Sequence, residues 1–65
     1  MRNPQYEFSD YLEMHGYDPI GAGDIIGDAL GWLRCQPPAW VHTHTASEWH
    51  DAFRQSNVYA EYGLT

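Results

Sequence analysis

The segment from Gly23 to Cys35 constrains the fold more than any other, because it is the most periodic part of the chain and the richest in aliphatic side chains. Read as a helix, it gathers its apolar residues on one side: Ile25, Ile26, Ala29, Leu30, Trp32 and Leu33. The opposite side is acidic and glycine-rich, with Asp24, Gly27, Asp28, Gly31 and Arg34. The segment therefore predicts an amphipathic helix that buries one face and exposes an acidic one.

The size of the chain predicts a single domain that spans residues 1–65. A domain this small has a large surface for its volume and needs additional stabilisation. Cys35 is the only cysteine, so an intrachain disulfide is excluded. Three Trp, five Tyr and two Phe supply a large apolar area instead. We therefore expect a core built mainly on aromatic side chains.

Two local signals predict further helices on either side of the central one. Asn3-Pro4 is a favourable helix start, and the first helix is expected over residues 4–15, before Gly16. Thr45 and Glu48 have the spacing of a capping box, which predicts a helix from Ala46 to about Ser56. The predicted fold class is mainly α, a compact three-helix domain.

The connections are less well determined. Residues 39–45 are predicted as a loop anchored by Trp40, with a short strand as the alternative. After the third helix, Asn57 either caps a short fourth helix or begins an extended C-terminal segment. The apolar side chains of this last segment are expected to fold back on the core: Tyr59, Tyr62 and Leu64.

Charge is the strongest signal in the overall composition. Nine acidic residues face three arginines and no lysine, for a net charge of −6, and residues 1–33 alone carry −5. Such a surface repels nucleic acid and anionic membranes and attracts basic protein surfaces. Solubility alone also accounts for a charge of this size. The N-terminal residues lack a signal-peptide pattern, so we expect a soluble, intracellular protein that contacts neither membrane nor nucleic acid directly.

The acidic residues of the first half define a candidate partner-binding surface. Glu7, Asp10 and Glu13 recur at three-residue spacing on one side of the first helix. The other members of the candidate surface follow along the chain: Asp18, Asp24 and Asp28. Carboxylates at helical spacing are separated by distances comparable to those between phosphates on one DNA strand. We therefore hypothesise that this surface mimics DNA; the alternative is an ordinary solvated helix face.

The histidines suggest a second hypothesis, a small metal-binding or metal-stabilised module. His42 and His44 would lie on one side of an extended segment, with His50 and Asp51 in the next element. The alternative is surface or packing histidines. No cofactor is otherwise expected. The chain also lacks a phosphate loop, a nucleophile elbow and a zinc-protease motif, so we expect that it is not an enzyme.

The third hypothesis is a structural interaction domain. Gly23, Gly27 and Gly31 recur every four residues, and helical glycines lower stability unless something uses the space. We interpret the row as a flank that another helix or a second chain approaches closely; the alternative is that glycine is merely tolerated. A monomer is favoured for the isolated chain.

The chain resembles the small acidic anti-CRISPR proteins encoded by phages and mobile elements, the type I-C inhibitors among them. The resemblance lies in the overall size and in two segments, Tyr6–Glu13 and Gly23–Asp28. It implies a non-enzymatic inhibitor that acts in the cytoplasm of a bacterial host. The implied partner is a basic, DNA-binding subunit of a Cascade-type CRISPR–Cas effector complex, whose recruitment of DNA is blocked, in some members by DNA mimicry.

Overall fold

A computed structural model describes residues 2–17 and 25–62 of the chain. These residues form five helices: α1 (Pro4–Met14), α2 (Ile25–Arg34), α3 (Pro38–Thr43), α4 (Ala46–Arg54) and α5 (Asn57–Ala60). The predicted mainly-α fold is confirmed, with three helices of nine residues or more.

The first helix begins and ends at the predicted signals. The side chain of Asn3 accepts a hydrogen bond from the backbone N–H of Tyr6, and Pro4 occupies the first helical position. At the other end, Gly16 has φ +93°, a conformation that side chains with a Cβ rarely adopt. Phe8 and Leu12 are buried, so this side of the helix packs on the core.

The central helix also has the predicted inner face. Its buried side chains are Ile25, Ile26, Ala29 and Leu33. Leu30 and Trp32 are half-buried and pack against the same core. Asp24 and Gly23, where we predicted the helix to begin, lie outside the described residues. Pro37 lies between this helix and α3, whose first residue is Pro38.

The predicted loop at residues 39–45 is wrong, because this segment is largely the helix α3. Pro38 fits the first helical position, and a Thr43 hydroxyl donates 2.8 Å to the carbonyl of Ala39 one turn earlier. Val41 is buried, and its carbonyl accepts a 3.1 Å hydrogen bond from the indole N–H of Trp49. A helix of six residues is too short to produce a recognisable period, and its stability comes from these tertiary contacts.

The capping box before α4 is present as predicted. Thr45 and Glu48 each accept a hydrogen bond from the backbone N–H of the other. Of the two alternatives for the C-terminal segment, the structure has the short helix, α5. Its cap is Ser56 and not the predicted Asn57. Tyr59 is buried and Tyr62 packs against the core, as predicted, whereas Leu64 lies outside the described residues.

The core is built around aromatic rings. Phe8, Trp49 and Phe53 are fully buried, and the Phe8 ring meets the other two edge to face, with centroids 5.9 and 6.4 Å away. Pairs of this geometry contribute about 1 kcal/mol each beyond their burial. Trp32 extends the cluster to Trp40 in α3. None of the helices in residues 2–17 and 25–62 has the length and apolar character needed to cross a bilayer.

The start of α1 lies beside the end of α2. The Gln5 amide donates 3.3 Å to the carbonyl of Leu30, and Pro4 lines a small groove together with Leu33 and Arg34. The carboxylates of Asp10 and Asp28 are each six residues from this end, about 9 Å of helix rise. The packing therefore separates them from the arginines at positions 2 and 34.

Candidate functional site

Glu7 belongs to a network of contacts made by the side chain of Arg2, just before α1. The Arg2 Nε atom donates to both carboxylate oxygens of Glu7 at 3.0 Å. The terminal nitrogens of Arg2 donate to the carbonyls of His42 and His44 at 2.9 and 2.7 Å, and the guanidinium lies 5.0 Å from the ring centroid of Trp49. The charge of Glu7 is thus locally compensated, which sets it apart from Asp10 and Glu13 on the same helix.

Asp10 and Glu13 form the free acidic part of α1. Both are exposed, and neither side chain has a hydrogen bond or ion pair with another described residue. Their three-residue separation places the two Cβ atoms about 5–6 Å apart on the outer surface of the helix. The pair can therefore present two adjacent negative charges to a partner.

Asp28 is exposed on α2 and is held by the C-terminal segment. The hydroxyl of Tyr62 donates a hydrogen bond to its carboxylate, across 34 residues of sequence. This contact orients the carboxylate. Asp18 and Asp24 complete the predicted acidic set, but both lie outside the described residues.

The arginines occupy a different region from these free carboxylates. Arg2 and Arg34 lie at the end where α1 begins and α2 ends, and Arg54 lies on α4. In the parts of the chain that the structure describes, Asp10, Glu13 and Asp28 form no ion pair with an arginine.

The structure does not bring the candidate metal ligands together. His42 is exposed on α3, and the His44 ring stacks on Trp40 with its Nδ1 2.7 Å from the Trp40 carbonyl oxygen. His50 faces α1, and Asp51 is exposed beside it on α4. Within residues 2–17 and 25–62, no three His, Cys, Asp or Glu side chains are grouped so that they could hold a metal ion.

His50 instead belongs to an aromatic cluster that the sequence did not indicate. Its Nε2 lies 2.9 Å from the hydroxyl of Tyr17, and its ring is 5.5 Å from Tyr11 and 6.3 Å from His15. Burial, followed by the positive charge of Arg54, lowers the pKa of His50. Burial and the neighbouring Tyr59 raise the pKa of the Tyr17 phenol. The cluster joins the end of α1 to α4 and favours an uncharged imidazole.

Concavities indent the described surface. One, about 480 Å³, is open and is lined by Asp51, Arg54, Gln55 and Tyr59. Another, about 170 Å³, is the groove between the start of α1, the end of α2 and α3. Neither of these two concavities is lined by Asp10 or Glu13.

Gly27 and Gly31 of the glycine row have no close neighbour among the described residues. A Cβ at Gly27 or Gly31 would meet nothing within 4 Å, and neither residue has a positive φ. The interpretation that another helix of this chain packs there is wrong for these two positions, since they border open space beside Asp28. Gly23 lies outside the described residues.

No protein-family model matches the chain, and neither a curated protein nor a solved structure is significantly similar to it.

Proposed function

We propose that this protein is a non-enzymatic inhibitor that binds a basic, DNA-binding protein through its acidic surface and prevents that partner from binding DNA. A Cascade-type CRISPR–Cas effector complex is the proposed partner, and the cytoplasm of a bacterial host is the proposed place of action. The inhibitor works by occupancy, as a monomer that mimics DNA, and it needs no cofactor.

The main support is the exposed pair Asp10 and Glu13. Neither carboxylate has a hydrogen bond or ion pair with another described residue, whereas Glu7 on the same helix is paired with Arg2. Asp28 adds a third charge, oriented by Tyr62. A partner surface that binds DNA carries closely spaced cations, and it gains free energy by pairing with fixed carboxylates at comparable spacing.

The location of Glu7 refines the proposal. Because Arg2 compensates its charge, Glu7 contributes less to partner binding than Asp10 and Glu13 do. The interface is therefore centred on the second half of α1 and on Asp28, rather than on the whole acidic row.

The proposal is tested by measuring binding to a purified Cascade-type effector complex over a range of salt concentrations. The variant Asp10→Asn with Glu13→Gln removes two charges while keeping the shapes of the side chains. Surface ion pairs contribute about 0.2–1 kcal/mol each, so this variant should bind about two- to thirtyfold more weakly, with a shallower salt dependence.

A matched control removes the same charge from another surface. Asp51→Asn with Glu61→Gln also changes the net charge from −6 to −4, at two exposed positions on and after other helices. We expect the control to bind almost as tightly as the unaltered protein. Equal losses from the two variants would mean that only net charge matters and would contradict a specific acidic interface.

A further inference from the structure

We propose that the outer face of α1 is a docking ridge, formed by Tyr6, Asp10, Glu13 and Met14, that inserts into a basic groove containing two apolar recesses. Tyr6 and Met14 fill the recesses, and the two carboxylates between them face the cationic side chains of the groove. This inference rests on the proposed function, because it specifies the shape and chemistry of the partner surface.

The observation that carries the inference is the exposure of two large apolar side chains on one helix. Tyr6 is 72% exposed and Met14 is 84% exposed. Across residues 2–17 and 25–62, they are the large hydrophobic side chains that remain exposed; the others are buried or half-buried. Their exposure is not explained by the core of this chain, which Phe8 and Leu12 already reach from the opposite face of α1.

The helix geometry places both side chains beside the free carboxylates. Tyr6, Asp10 and Met14 follow one another at four-residue intervals, and Glu13 lies seven residues after Tyr6. Residues at these intervals share one face of a helix, as they do when an amphipathic helix binds in a groove. The ridge is thus a continuous surface on which two apolar side chains flank two carboxylates.

The chemistry of the ridge differs from that of a purely electrostatic surface. A solvated helix face has no need for a tyrosine and a methionine, whereas both residue types are enriched at the centres of protein interfaces. Eight residues separate them, or about 12 Å along the helix axis. The partner groove should therefore carry two apolar recesses about 12 Å apart, with lysine or arginine side chains between them to pair with the carboxylates.

The test uses the full chain and a purified Cascade-type effector complex as the probe. Tyr6→Gln with Met14→Gln removes the apolar anchors without changing charge or greatly changing helix propensity. Tyr6→Phe with Met14→Leu keeps them apolar and serves as the matched control. We expect the first variant to bind at least about tenfold more weakly with an unchanged salt dependence and thermal midpoint, and the second to bind like the unaltered protein.

The outcomes separate this inference from the proposed function. If the Gln variant binds within twofold of the unaltered protein while Asp10→Asn with Glu13→Gln weakens binding, the docking ridge is wrong and the acidic interface stands. If the unaltered protein does not bind the effector complex, the proposed function fails and the docking ridge fails with it.

Discussion

Arg2 is predicted to stabilise the fold although it precedes the first helix. Its guanidinium pairs with Glu7, donates to two carbonyls at the end of α3, and lies over the ring of Trp49. One side chain thereby connects the start of α1 to α3 and α4. Arg2→Ala removes all of these contacts and leaves the two carbonyls to water.

The expected loss can be estimated contact by contact. The ion pair contributes about 0.5 kcal/mol, because both side chains keep a third or more of their surface exposed, 33% and 39%. The two hydrogen bonds to backbone carbonyls contribute about 1 kcal/mol together at this partly exposed position, and the cation–π contact adds about 0.5 kcal/mol. We therefore expect Arg2→Ala to lower the free energy of unfolding by about 2 kcal/mol.

Urea unfolding followed by tryptophan fluorescence measures this change, and a thermal scan should show a midpoint lower by about 8–16 °C for a domain of this size. Glu7→Gln removes only the ion pair and should cost about 0.5 kcal/mol. The matched control Arg34→Ala removes an exposed arginine at the end of α2 and should cost at most about 0.5 kcal/mol. Equal stability of the Arg2→Ala and Arg34→Ala variants would refute the proposed network.

Three further predictions concern stability. Because burial lowers the pKa of His50, the unfolded chain binds a proton there before the folded chain does as the pH falls below about 6.5, so the free energy of unfolding decreases toward acid. His50→Gln should make the decrease in this free energy between about pH 7.5 and 5.5 smaller in urea unfolding, and an unchanged decrease would contradict the prediction. Thr45→Ala removes the capping box and should cost about 1 kcal/mol by the same assay, whereas no change would show that the cap is dispensable. Gly27→Ala and Gly31→Ala should each stabilise the protein by about 0.5–1 kcal/mol, because these glycines border open space. Gly16→Ala should destabilise the protein, because Gly16 has a positive φ. Thermal midpoints that move in the same direction for all three variants would contradict the glycine geometry.

The parts of the fold that were predictable depend on local signals. Asn3-Pro4 and Thr45–Glu48 each act within one helical turn, so all the residues of each cap are close together in the sequence and the cap can be predicted from it. The inner face of α2 follows from its period alone. By contrast, α3 has six residues, and its stability depends on contacts with distant residues such as the one between Val41 and Trp49.

In the candidate site, too, the local features were predictable and the long-range contacts were not. The three-residue spacing of Asp10 and Glu13 is a property of one helix, and their exposure follows from its amphipathic pattern. The pairing of Glu7 with Arg2 involves an arginine whose other bonds reach 40 and 42 residues along the chain. The contact between Asp28 and Tyr62 spans 34 residues. Neither could be deduced from spacing, because each depends on how the helices pack.

Competition with DNA tests the central claim most directly. A Cascade-type effector complex is incubated with its labelled target DNA, and this protein is titrated into the mixture. The acidic interface predicts that DNA binding falls as the protein is added, and that the variant Asp10→Asn with Glu13→Gln needs a concentration about two- to thirtyfold higher for the same effect. Undiminished DNA binding at saturating concentrations of the unaltered protein would contradict the account.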